Sequence, residues 1–99
     1  MKELTANEFD SFIANGKSII DFFGDWCGPC RAVESRFVGW SIDYPNVNFA
    51  KVNIDSEFDL AVKNQVDKVP TFLMFENGQL IKRIVGIPNE EEIKLFLGS

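Results

Sequence analysis

Asn77-Gly78 constrains the architecture of this chain more than any other pair of residues. A tight hairpin whose twist matches its strands needs positive φ at both central positions, and Asn-Gly supplies it. Between two apolar runs, the dipeptide therefore marks an antiparallel pair. The runs are Thr71 to Glu76, opened by Pro70 where a missing N–H is tolerated, and Gln79 to Val85, ended by Gly86 and Pro88.

Upstream, strand-like and helical stretches alternate, which requires parallel pairing. After a short first strand, Thr5-Ala6-Asn7-Glu8 forms a capping box and Phe9, Phe12 and Ile13 follow at helical spacing, with Gly16 as the stop. Ile19 to Phe23 is an apolar run interrupted by one acid, Asp21. Beyond Gly28-Pro29 the pattern predicts a helix over about Cys30 to Asp43, ending before Tyr44-Pro45. Val47 to Asp55 alternates as a strand, and Ser56 can cap a short helix carrying Phe58, Leu60, Ala61 and Val62. Asn89-Glu90-Glu91-Glu92 is a second capping box, starting a terminal helix with Ile93, Phe96 and Leu97 inward. The order β–α–β–α–β–α–β–β–α predicts an α/β fold: a three-layer sandwich whose mixed central β-sheet is flanked by helices. Residues 1–99 are expected to form one domain.

Composition removes several function classes. With 10 Lys plus Arg against 15 Asp plus Glu, the net charge is −5, which argues against a nucleic-acid partner. There is no His, so imidazole-based metal sites and Ser-His or Cys-His catalysis are excluded. Met1-Lys2-Glu3-Leu4-Thr5 lacks the apolar core of a signal peptide, and no run approaches the ~18 apolar residues of a membrane span. The expected location is cytoplasmic.

Trp26-Cys27-Gly28-Pro29-Cys30 sits where a strand hands over to a helix. With Cys27 as N-cap, Gly28 is the first helical residue, Pro29 the second and Cys30 the third. A cap side chain accepts from the N–H of the second or third residue. Pro29 has none, so the Cys30 amide is the natural donor to the Cys27 sulfur. The helix dipole adds partial positive charge at the same place, and both effects favour thiolate. Spacing of three also suits a disulfide that opens and closes without moving the scaffold. Two alternatives stand beside redox use: half of a zinc site shared across a dimer, and a pair of ordinary core cysteines. Zinc usually wants four ligands, and this chain has no further Cys.

Asp21-Phe22-Phe23-Gly24-Asp25-Trp26-Cys27-Gly28-Pro29-Cys30, followed by Lys51-Val52-Asn53-Ile54-Asp55, Val69-Pro70-Thr71 and Asn77-Gly78, resembles the thioredoxin family over almost the whole chain. The resemblance implies a protein-disulfide oxidoreductase with a redox-active Cys27–Cys30 disulfide, in which Cys27 is the nucleophile and Cys30 resolves the mixed disulfide. Gly28-Pro29 between the cysteines is the reductase-like pairing. By the same resemblance, Asp21 accepts the Cys30 proton, and Lys51 sits near this acid and tunes it. An Asp facing solvent on a half-exposed strand, and a surface Lys51, are the plain alternatives. Val69-Pro70 matches a cis peptide that presents backbone to an extended substrate strand. Trp26, Gly28, Pro29, Val69, Pro70, Val85, Gly86 and Ile87 would form the substrate contact rim, with Val85 and Ile87 otherwise read as core.

The implied role is a general reductant, with a dedicated donor to one client or a structural subunit as alternatives. It would be a monomer holding no metal and no cofactor, using NADPH and flavin indirectly through thioredoxin reductase. Implied clients carry disulfides, for example peroxiredoxin or ribonucleotide reductase. The chain departs from the family in Ser35, where a helix-kinking proline is usual, and in the charges of Asp67 and Lys68 beside the rim.

Overall fold

The structure, a computed structural model, describes residues 1–98. In chain order the elements are β1 (Lys2–Glu3), α1 (Ala6–Ile13), β2 (Lys17–Phe23), α2 (Gly28–Asp43), β3 (Asn48–Asn53), α3 (Phe58–Lys63), β4 (Thr71–Glu76), β5 (Gln79–Val85) and α4 (Glu90–Gly98). The strands form one mixed sheet in the order β1-β3-β2-β4-β5. β2 is central, parallel to β3 and antiparallel to β4. β4 and β5 are joined through Asn77 and Gly78 at φ 51° and 85°, as the turn chemistry requires.

Period-two alternation divides the core into two layers. Ile20 and Phe22 of β2, Ala50 and Val52 of β3, and Leu73 and Phe75 of β4 pack with Phe9 and Ile13 of α1 and Leu60 and Ala61 of α3. On the opposite face, Ile19, Phe49, Phe72 and Met74 pack with Val33, Phe37 and Trp40 of α2 and with Ile93, Phe96 and Leu97 of α4. Helices, sheet, helices: three layers. Phe37 stands at the middle of the second cluster, with the rings of Phe49 and Phe72 at centroid distances of 5.3 and 5.6 Å. Asp21 and Lys51 fall on the same alternation as Ile19 and Phe49, so both belong to the face that α2 covers.

Three local expectations need correction. Helix α2 begins at Gly28, where the Cys27 cap puts it, rather than near Cys30 as the apolar pattern alone predicts, because Gly28 and Pro29 occupy its first turn, where a proline needs no donor. It continues unbroken through Ser35 and Gly39 to Asp43. Ser56 does not cap α3. Its hydroxyl donates to the Asn53 carbonyl, the cap position falls on Glu57, and Phe58 and Val62 are exposed. At α4, Asn89 does cap, accepting from the Glu91 N–H at 2.7 Å, but Glu92 reaches Lys82 at 3.6 Å. At α1, Glu8 completes its half of the box by accepting from the Thr5 N–H at 3.0 Å. The Lys2 ammonium and the Thr5 N–H together hold the Glu8 carboxyl down at about 2.

Candidate active site

The site forms where β2 ends and α2 begins. Cys27 is the N-cap of α2 in extended conformation, and its Sγ accepts from the Cys30 N–H at 3.1 Å. Pro29 removes the competing donor, so the sulfur takes the one amide the helix can offer. Cys27 and Cys30 are disulfide-bonded, with Cα atoms 5.2 Å apart. Phe23 and Val69 pack against the two sulfurs, leaving Cys27 and Cys30 only 4% and 5% exposed.

Of the expected rim, Val69 packs against the disulfide. The Val69–Pro70 peptide bond is cis, and the Val69 carbonyl oxygen lies 3.7 Å from Cys27 Sγ. Pro70 is buried, and its carbonyl accepts from the Gly86 N–H at 2.8 Å, which brings the end of β5 beside it. Val85 and Ile87 are exposed, so neither belongs to the core. Gly28 and Pro29 are exposed as well. Trp26 is 64% exposed, yet its indole is fixed: Nε1 donates to Asp55 at 2.9 Å. Gly24 lies under that ring, where a Cβ would meet Trp26 Cε2 at 2.8 Å. No sequence signal marked Asp55 or Gly24 as partners of the tryptophan.

Asp21 is 1% exposed, and its Oδ1 has no hydrogen-bond partner. Loss of hydration raises its carboxyl from 3.8 to about 7, with the Lys51 charge pulling down and the Glu34 charge pushing up. A pocket of ≈ 200 Å³ joins this acid to the disulfide, lined by Asp21, Phe23, Cys30, Arg31, Glu34 and Lys51 among others. At roughly 30 Å³ per water, such a space holds several molecules and can relay a proton. Lys51 stands opposite Asp21 in the β2–β3 register. Its ammonium, however, pairs with Glu34 and lies 4.2 Å from the centroid of the Phe23 ring. Glu34 had escaped the sequence reading, although a residue four after Cys30 on a helix shares its face.

A sulfur held at a helix N-terminus, a second sulfur bonded to it and a buried acid lining the same pocket form an arrangement that can exchange disulfides. Comparison with known proteins agrees. The thioredoxin family model matches residues 1–99. Thioredoxin-1 of Saccharomyces cerevisiae is 42% identical over 83 residues, covering 83% of this chain and 81% of that protein. Among solved structures, the oxidized form of mitochondrial Thioredoxin 3 from Saccharomyces cerevisiae superposes at a TM-score of 0.90 with 34% identity, covering 99% of this chain and 93% of that one. A chain from work on the thiol resolving mechanism of yeast mitochondrial 1-Cys peroxiredoxin via glutathione/thioredoxin systems also matches at 0.90, with 33% identity and the same coverage of both chains.

Proposed function

Because the chain belongs to the thioredoxin family of disulfide oxidoreductases, we propose that it is a general reductant of protein disulfides and acts as a single domain over residues 1–99. That Cys27 and Cys30 work as a dithiol–disulfide couple follows from family and geometry together. The individual roles are our assignment. The Cys27 thiolate attacks a client disulfide, forming a mixed disulfide and releasing one client thiolate. The Cys30 thiol then passes its proton through the pocket water to the Asp21 carboxylate. The resulting Cys30 thiolate attacks Cys27 Sγ and displaces the second client thiolate. Two electrons have moved to the client, and the Cys27–Cys30 disulfide remains.

Trp26, Gly28, Pro29, Val69, Pro70, Val85, Gly86 and Ile87 would form the surface that receives an extended client segment. The Val69 carbonyl supplies a main-chain acceptor for it. Lys51 tunes Asp21 from the neighbouring strand. Thioredoxins hold no cofactor; recharging would come from thioredoxin reductase with NADPH and flavin. Peroxiredoxin and ribonucleotide reductase are fitting clients, since the Gly-Pro pair supports a reductant, and we place the chain as a cytoplasmic monomer. Among the described residues, no helix is long and apolar enough to cross a membrane.

Cys27 carries this reading, because its sulfur is the N-cap acceptor of the Cys30 amide. Insulin reduction with dithiothreitol tests it: the wild type accelerates precipitation and Cys27→Ser does not. Equal rates for the two would overturn the assignment. Cys30→Ser should trap several clients as mixed disulfides. Capture of one partner alone would instead make the protein a dedicated donor.

A further inference from the structure

Asp21 and Lys51 face each other across neighbouring strands, on the side of the sheet that α2 covers. A lysine so placed is the obvious counter-ion for a buried carboxylate. It makes no direct ion pair with Asp21, although its charge still pulls that carboxyl down from a distance. Its ammonium pairs with Glu34, its charge rests against the Phe23 ring, and Asp21 Oδ1 is left without a partner. The Lys51 side chain is 14% exposed and that of Glu34 is 48% exposed, so the pair lies across the boundary between pocket and solvent.

We propose that Glu34 is a positioning residue of the redox site, holding the Lys51 ammonium at the solvent mouth of the pocket and away from the buried Asp21 carboxyl. The pair stands at the edge of the pocket that Asp21 also lines, so its charges act on the acid. Glu34 acts twice in the same direction. It withdraws a cation from Asp21, and it adds an anion beside it. Both favour the protonated acid.

The other charged groups facing the pocket are engaged elsewhere or neutral. Arg31 donates to the Asp25 carbonyl at 2.6 Å, and the Asp25 carboxylate accepts from the Asn53 amide at 3.3 Å. Cys30 is held in the disulfide. From β4, the residue opposite Asp21 is Phe72, which carries no charge. Glu34 is thus the one pocket residue whose neutralisation both removes an anion and frees Lys51. The consequence for catalysis rests on Asp21 being the proton acceptor; the consequence for Asp21 itself does not.

The test is a ¹³C NMR titration of the Asp21 carboxyl in the oxidised protein. In Glu34→Gln the midpoint should fall by ~0.5–1 pH unit, and Glu34→Asp should restore most of it. In a Lys51→Met background the same Gln substitution should shift the midpoint less, because no cation remains to be released. An unmoved or raised midpoint in Glu34→Gln overturns the proposal. So does an undiminished shift in the Lys51→Met background, which would leave Glu34 acting through its own charge alone. The pH profile of insulin reduction separates this result from the Asp21 assignment. If the midpoint moves and the profile follows it, both stand. If the midpoint moves and the profile does not, Glu34 positions Lys51 and Asp21 is not the proton acceptor.

Discussion

Replacing Asp21 by Asn should make stability and turnover diverge, with a pH dependence that can be worked out in advance. The folded carboxyl titrates at about 7 against 3.8 for the free group, because β2 is covered on both faces and Asp21 lies under α2. Between those two values the native state binds more protons than the unfolded state, so wild-type stability falls as pH rises. Above about 7 the loss is complete and the curve levels off. At 1.36 kcal/mol per pH unit, the full cost of ionising the buried acid is about 4 kcal/mol. Asn keeps the shape and does not titrate. Relative to wild type, the Asn variant should gain about 3–4 kcal/mol between about pH 4 and pH 8, while any constant cost of burying the amide cancels. Urea melts of the two oxidised proteins at both pH values measure that difference. On the proposed mechanism the variant should also reduce insulin more slowly, since Cys30 would lose its acceptor. A stability difference that does not change with pH, or that turns against Asn as pH rises, would mean that Asp21 is solvated or firmly paired as an anion. The buried-acid reasoning would then be wrong.

Iodoacetamide should modify Cys27 well before Cys30 in the reduced protein near neutral pH, because only Cys27 caps the helix; equal or reversed labelling by mass spectrometry counts against the nucleophile assignment. Phe37→Ala, which empties the ring site between Phe49 and Phe72, should cost about 3–5 kcal/mol in a denaturant melt. Gly24→Ala should drive the Trp26 indole off Asp55, since the new Cβ would lie 2.8 Å from the ring. The Trp26 indole N–H resonance would then move and exchange faster, and an unchanged resonance would show that the ring is not fixed by that contact.

Features set by local chemistry were legible before any coordinates. The hairpin could be placed to the residue because Asn77-Gly78 admits few backbones and both strands flank it directly. The hydrogen bond from the Cys30 N–H to the Cys27 sulfur could be deduced because Pro29 eliminates its only rival. An acid inside an apolar run marked Asp21 as unusual, while the run alone left a solvent-facing strand open; the structure buries it. Ser56 misled because the Asn53 side chain, three residues earlier, accepts from the Asp55 and Ser56 N–H groups and turns the chain before α3 starts. Glu34 and Asp55 were missed for a different reason. Their partners lie 17 and 29 residues away, and their meeting depends on how strands and helix are arranged, which local pattern does not encode.

The cap bond at the start of α2 has a consequence for recognition. Cys27 Sγ already accepts the Cys30 amide while it is bonded to Cys30 Sγ, so opening the disulfide leaves no backbone donor in search of a partner. The oxidised and reduced forms can therefore present the same main-chain outline to anything that docks beside Trp26 and Val69. An electron donor and an electron acceptor need not be told apart by shape, and both can use one face in turn. Discrimination falls to the sulfur atoms themselves: whichever partner brings a thiolate to the closed pair, or a disulfide to the open one, finds a reaction available, and the other dissociates unchanged.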